Sequence, residues 1–425
     1  MDDSGAEISV MGPLSTAPRL PDEPYSVVWG LVNGVPITCT DVWIMSSESS
    51  GGNAEIQHLW VTYAYEGVHW RTPERARLRT AGIRLSELTG WVDQSGVERS
   101  EGGWKAALPE PLKARVDIGE VWIEIGAATR ATRDSVTLET RRTVTCKFVR
   151  PFAPEEVWQK FVMPIKDLLT VASLGDVSVD ELWVMPAGRT DSARPLPQVV
   201  ERAHREQRTE PPKRFWEFLF TTRDWDIAAG LPLWFDLWQR APVAMTTFTS
   251  AYAARGHTYA NFVAVASATE ALHAALHPEL ENPTERQAAR LERVLASIAT
   301  ARDRKWAKGL LRHGHKPPLQ RRLELLLQDL GEEIAYPLVG NGPEWAKTVA
   351  DARNALAHSD PRAWDYYGKF DLVIAMTETL RTVFVLTVLL QIGFDQPTVA
   401  AKLRQTRHLK HWLGRYNHIQ RQLTS

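Results

Sequence analysis

The residue pattern changes character once, across a proline-rich stretch near the middle of the chain, and that change dictates two different halves. From Tyr25 to about Arg150, the runs SVVWGLVNG, EIQHLWVTYAYEG, RLRTAGIRL, RVDIGEVWIEIGA and DSVTLETRRTVTCKFV are rich in Val, Ile, Thr, Trp and Tyr and are separated by Gly, Pro, Asn and Ser clusters. In one of them the apolar Val121, Ile123 and Ile125 alternate with Trp122 and Glu124, the period of a strand with one packed face. The expectation is a β-rich N-terminal domain over residues 23–185, either an antiparallel sheet or a sandwich, preceded by a flexible arm at 1–22. Within it, Pro154 followed by Glu155 and Glu156 opens a helix that runs toward Ser173, and Val177–Val184 returns to the sheet. Residues 186–213 carry five prolines and little apolar periodicity, which marks a linker. From residue 214 the apolar spacing becomes helical, in runs such as WFDLWQRAPVAMTTFTSAYAARG, TERQAARLERVLASIATARDRKWAKGLL and GKFDLVIAMTETLRTVFVLTVLLQIG. The chain is thus α+β and multidomain, with an all-α domain at 214–395 and a helical tail at 396–425.

Composition narrows the function classes. With 44% apolar and 24% charged residues in 425, the chain buries a sizeable core and is neither disordered nor fibrous. Fifty basic against 51 acidic residues give a formal charge of -1, so no whole-chain charge argues for nucleic-acid binding, and only a local basic face can. Cys39 and Cys146 form no disulfide framework or metal cluster, consistent with a reducing compartment and a cytoplasmic protein. The N-terminus opens on Asp2 and Asp3 and has no apolar run, unlike a signal peptide. The most apolar stretch, Thr382–Ile392, is about half the roughly 20 residues that a bilayer span needs and reads as a buried helix, so no membrane partner is expected. No P-loop, GxSxG, HExxH or dinucleotide fingerprint occurs.

The helix opening near Pro343 carries the most information. Asn341 suits its cap, Pro343 suits its first turn, and Pro361 sets its end near His358. Trp345, Val349, Ala352 and Leu356 share one stripe, which presents Asn354 and His358 on the opposite face with Arg353 at its flank.

The run Arg353-Asn354-Ala355-Leu356-Ala357-His358 resembles the R-N-x-x-x-H form of the motif of HEPN domains, helical modules of many toxin and antiviral ribonucleases. The order of a β-rich half, a proline-rich stretch and a helical half is similar to ApeA-type anti-phage proteins. IRLSELTGWV and PFAPEEVWQKFVMPIKDLLTVASLGDVSVDELWV carry that likeness in the N-terminal half. The resemblance implies an abortive-infection effector with an all-α HEPN bundle, an endoribonuclease needing no metal or other cofactor, its motifs meeting across a homodimer or higher homo-oligomer. RNA as substrate and a phage-derived trigger are the implied partners. His358 is implied as the proton-transfer group and Arg353 as the phosphate stabiliser, with Asn354 either orienting His358 or touching the phosphate. It also implies an acid on an earlier helix that pairs with the motif, and Glu270, alone among apolar neighbours in NFVAVASATEALHAAL, fits. RNA supplies its own 2′-hydroxyl nucleophile, so a base and a fixed cation suffice for that chemistry. Arg353 and His358 lie roughly 140° apart around one helix, and a two-fold axis beside the motif would let one chain's arginine face the other's histidine.

Three further features bear on binding. Residues 284–325 hold eleven basic side chains against four acidic, and Arg302, Arg304, Lys305, Lys308 and Arg312 form the candidate RNA footprint, although such a run also serves as a solvated helix face. His313 and His315 flank Gly314 beside it. His408, His411 and His418 have no Cys or carboxylate close in sequence to complete a metal set. Of seventeen tryptophans, Trp29, Trp60, Trp70, Trp91, Trp104 and Trp122 lie in the strand-rich half, where most are expected in the core. The rival class is a non-catalytic binding or sensor protein, its β-domain recognising a carbohydrate or viral protein and its helical domain serving to dimerise.

Overall fold

A computed structural model describes residues 6–11, 23–50, 54–100, 103–131, 136–188, 198–199, 213–253, 258–312, 314–358 and 364–424. The chain divides into two compact units, Met1–Ser173 with Val177–Pro232 and Leu174–Asp176 with Leu233–Ser425. Most of the proline-rich stretch expected as a linker, residues 189–197 and 200–212, lies outside the described residues. The division falls later, between Pro232 and Leu233. The cause is packing. Phe218, Leu219, Phe220 and Trp225 are buried, and the backbone N–H groups of Leu219 and Thr222 donate to the carbonyls of Ala172 and Trp91 in the first unit. Proline content marks where regular structure fails, whereas unit membership follows from what each residue packs against.

In the first unit, β1 (Ala6–Met11), β2 (Tyr25–Val32), β3 (Val35–Ser50), β4 (Ala54–Glu66), β5 (Leu78–Leu85), β6 (Val97–Ser100), β7 (Gly103–Ala106), β8 (Leu112–Val116), β9 (Gly119–Ala131), β10 (Val136–Phe152), β11 (Val179–Pro186) and β12 (Gln198–Val199) are the strands. Ten of them form one antiparallel sheet in the order β2-β3-β4-β12-β11-β5-β10-β9-β8, with β1 pairing β4. Strands β6 and β7 make a separate hairpin. A single sheet therefore replaces the sandwich alternative. Residues 6–11, expected in a flexible arm, are a strand whose Ile8 stands opposite Leu59. The alternation read in β9 holds, with Val121, Ile123 and Ile125 buried and Trp122 and Glu124 half-buried.

Between β5 and β6 lies α1 (Leu88–Val92). The helix opened by Pro154 runs as α2 (Pro154–Val157), a π-helical turn and α3 (Met163–Ser173). Its apolar side covers the sheet, where Phe161 meets Phe148 edge-on at 6.0 Å between ring centres. Of the tryptophans expected in the core, Trp70 and Trp91 are buried and Trp60 and Trp122 half-buried, but Trp29 is 56% exposed. The side chain of Trp104 lies outside the described residues. Both cysteines are buried and free, and burial raises the pKa of Cys39 to about 11.

Helix α4 (Ile227–Arg240) crosses the division. The second unit continues with α5 (Pro242–Ala253), α6 (Thr258–Leu276), α7 (Glu285–Ala296), α8 (Ala301–Leu311), α9 (Leu319–Leu330), α10 (Glu332–Val339), α11 (Gly342–Ala357), α12 (Trp364–Tyr367), α13 (Phe370–Gln391), α14 (Gln396–Gln405), α15 (Arg407–Trp412) and α16 (Arg415–Thr424). Two runs read as single helices are each broken in two. Pro242 starts α5 afresh, and Thr300 caps α8 by accepting from the Asp303 N–H at 3.1 Å. The core is built where α6, α9, α11 and α13 pack together. Phe248 stacks on Phe384 with ring centres 3.8 Å apart, and buried Trp345 donates its indole N–H to Thr379 Oγ1 at 3.0 Å. Helix α13 has 22 residues and is long and apolar enough to cross a membrane by length and composition, but most of its apolar side chains are buried inside the unit, Phe370 at its start being exposed.

Candidate active site

Helix α11 forms as its sequence dictates. The Asn341 side chain accepts from the Glu344 N–H, Pro343 occupies the first turn, and His358 closes the helix with its N–H donating to the Asn354 carbonyl at 3.2 Å. Trp345, Val349 and Ala352 are buried as the spacing required, whereas Leu356 is only half-buried and Ala355 takes the core position beside it. Burying that stripe against α6 and α9 turns Arg353 toward α6 and leaves Asn354 and His358 exposed.

Arg353 is gripped from two sides. Its Nη2 donates to Glu270 Oε2 on α6 at 3.1 Å, and its Nη1 donates to Asn354 Oδ1 at 3.2 Å. Glu270 thus meets the motif arginine rather than the histidine. Asn354 spends its oxygen on Arg353 and so fixes the arginine, not the imidazole.

Behind Glu270 stands a residue that the sequence reading counted only as surface charge. Arg322, on α9, is 4% exposed. Its Nε lies 3.9 Å from Glu270 Oε1 and donates to the Pro317 carbonyl at 3.0 Å; its Nη1 meets Glu281 and donates to His273 Nδ1 at 3.3 Å. Glu281 also accepts from Lys316 Nζ at 3.0 Å. The hydrogen bond from Arg322, joined by that from Lys316, holds the Glu281 carboxyl below its ordinary pKa. Burial, with the neighbouring His277 and Arg322, pushes His273 down to about 4, so its imidazole is neutral and offers Nδ1 as an acceptor. One signal in the sequence pointed to Arg322: it sits three residues after Leu319 and four before Leu326, on the apolar stripe of α9. Nothing in linear spacing pointed to Glu281 or His273 as its partners.

The remaining candidates sit elsewhere in the unit. Arg302, Arg304, Lys305, Lys308 and Arg312 are exposed on α8 and just beyond it, with Arg304 Nη2 donating to the Ile298 carbonyl at 2.9 Å. His315 Nε2 meets the Glu281 carbonyl at 2.9 Å, and His313 lies outside the described residues. A carboxylate does reach His408: Glu378 Oε2 is 3.1 Å from its Nε2, and the same carboxylate is paired with Arg381. Among the described residues no group of three or more His, Cys, Asp or Glu is arranged to hold a metal ion.

The second unit is a helical core whose long buried helix α13 follows the Arg353–His358 helix end. Residues 263–398 match the family described as Apea-like HEPN, and residues 2–230 match ApeA N-terminal domain 1. The second match alone covers more than half of the chain and ends just short of Pro232, where the units divide. The chain belongs to the ApeA family of HEPN-domain anti-phage proteins. No curated protein and no solved structure matches it.

Proposed function

We propose that this anti-phage effector is a metal-independent endoribonuclease that acts through Arg353, Asn354 and His358, with two copies of the motif meeting in a homodimer. The observation that carries the reading is the grip on Arg353. A guanidinium held by Glu270 and Asn354 at fixed geometry is a preorganised cation, and an exposed His358 five residues on, at the helix end, is a proton-transfer group that a second copy can bring to it. His358 takes the proton from a ribose 2′-hydroxyl as that oxygen attacks the adjacent phosphorus. The bond to the 5′-oxygen breaks, that oxygen leaves with a proton from the second motif or from water, and a 2′,3′-cyclic phosphate remains. Arg353 stabilises the charge that grows on the phosphoryl oxygens. Glu270 and Asn354 position Arg353. The exposed cations Arg302, Arg304, Lys305, Lys308 and Arg312 attract the RNA backbone.

The test is cleavage of RNA in EDTA by wild type, Arg353→Ala and His358→Ala, with product ends identified. Cleavage by wild type alone, leaving cyclic phosphate ends, is the expected result. Equal cleavage by all three proteins would defeat the assignment, as would full activity from a monomer for the shared site. A second reading has its own support: Trp29, Leu31, Trp43 and Met45 leave apolar surface exposed on β2 and β3, which favours recognition of another molecule by the N-terminal unit. If that recognition were the whole function, His358→Ala would change nothing.

A further inference from the structure

Helices α7 and α8 form a hairpin between α6 and α9, and they bury little. Leu295 is the buried residue of α7 and Ala307 that of α8. A pair of helices with so small a core of its own is not explained by stability. Between α7 and the end of α8 with the turn that follows lies a cleft of about 460 Å³. That size falls within the roughly 300–1,000 Å³ of small-ligand sites. Leu291 and Val294 of α7 and Leu311 of α8 supply its apolar wall, and Arg290, Arg312 and His315 its polar edge.

The polar edge is uncommitted and positive. Among the described residues, neither Arg290 nor Arg312 takes part in an ion pair, and no carboxylate lines the cleft. His315 is held in place because its Nε2 donates to the Glu281 carbonyl at 2.9 Å. A bare anion would use the two arginines and leave the apolar wall idle. An uncharged apolar molecule would leave two guanidinium groups without a partner. A planar heterocycle carrying phosphate satisfies both surfaces, with its ring against the aliphatic side chains and a guanidinium plane, and its phosphate on the arginines.

We propose that the cleft between α7 and α8 binds a nucleotide, its base against Leu291, Val294 and Leu311 and its phosphate on Arg290 and Arg312. The nucleotide is either a unit of an RNA chain or a free mononucleotide, and neither source requires that the chain cleave RNA. The rim of the cleft joins the motif through one run of contacts, from His315 and Glu281 to Arg322, Glu270 and Arg353.

Calorimetric titration of the full-length protein tests this with three probes: AMP, inorganic phosphate and a short 2′-O-methylated RNA oligomer, which cannot be cleaved. Saturable binding of AMP, or of the oligomer alone, is expected and tells the two sources apart. The exposed substitutions Arg290→Ala with Arg312→Ala, and separately Val294→Glu, are expected to weaken it by at least about tenfold without moving the thermal melt. Three results would overturn the proposal: no binding of either nucleotide probe, binding unchanged in both variants, or inorganic phosphate binding as well as AMP. Val294→Glu touches none of the groups assigned to cleavage, so loss of AMP binding in that variant with cleavage intact keeps this site distinct from the ribonuclease reading.

Discussion

Two ionic clusters in the helical unit use the same side chains and do opposite things. At the first, Glu378 of α13 is 8% exposed and pairs with Arg381 and His408, while Arg381 donates to the Ala251 carbonyl at 3.1 Å and lies over the Tyr252 ring at 4.8 Å. Burial alone would raise the Glu378 pKa, but the His408 hydrogen bond and the Arg381 charge outweigh it and leave the carboxyl below its ordinary value. Glu378 and Arg381 are mostly buried, and His408 is the exposed edge of that cluster. At the second, the run from Glu281 through Arg322 and Glu270 to Arg353 ends on Asn354, and the exposed His358 follows at the end of the same helix. A mostly buried ionic cluster holds helices together, whereas one that ends beside exposed polar groups has donors left to meet a ligand. Placement, not residue type, separates the two.

The sharpest way to break this contrast is to substitute the exposed end. His358→Ala is expected to lower RNA cleavage by about 10²–10⁴-fold and to leave the melting temperature unchanged, because the side chain is exposed. A comparable loss of stability would mean that His358 belongs to the buried kind. Glu378→Ala addresses the other cluster. It strands Arg381 in a largely buried position, and a loss of about 3 kcal/mol in denaturant unfolding is expected. Cleavage per folded molecule should persist. If unfolding were unaffected, the cluster would not be the clamp described.

Arg322→Leu tests the join between burial and site. Glu270 and Glu281 would face each other without the cation between them, and both are partly exposed, so water softens the cost to about 1–2 kcal/mol. Arg353 would keep its partner but lose the brace behind it. The expected signature is a fall in kcat with little change in KM, partly restored in Arg322→Lys, which keeps the charge without the planar fork. A purely structural Arg322 would leave kcat per folded molecule at the wild-type value.

The same contrast explains how much of the molecule was legible beforehand. Strand alternation at Val121, Ile123 and Ile125, the Asn341 cap and the stripe of Trp345, Val349 and Ala352 are local rules, and the structure obeys them. Glu270 was found because an acid alone on an apolar helix must meet something, and the HEPN resemblance said what. Arg322 does not stand out in the sequence because it sits in a basic run whose charges mostly face water, although its place between Leu319 and Leu326 sets it apart. The pairing of Arg322 with Glu281 and His273 joins residues 41 and 49 apart in sequence through packing alone, which no local pattern encodes. For the same reason the boundary at Pro232 was misplaced: Phe218 and Trp225 read as the start of the helical half until their burial in the first unit is seen.

A pH-dependent effect isolates one link of the second cluster. His273 is buried, and its pKa is lowered to about 4 from an ordinary 6.5 by burial first, then by His277 and Arg322, against the opposing pull of Glu281 and Glu279. The folded state therefore resists protonation that the unfolded chain accepts. Stability contributed by the neutral imidazole is complete above pH 6.5, declines as pH falls toward 4, and changes no further below that. Between pH 7 and pH 5 the loss is about 2 kcal/mol. Carboxylates titrate in part of the same range, so the readout is the difference between wild type and His273→Gln, which keeps an acceptor for Arg322 but cannot take a proton near neutrality. Urea unfolding at pH 7 and pH 5 should show the variant losing less stability than wild type by that amount. Equal losses in the two proteins would mean that His273 is reached by water or protonated in place, and that Arg322 is held by Glu270 and Glu281 without it.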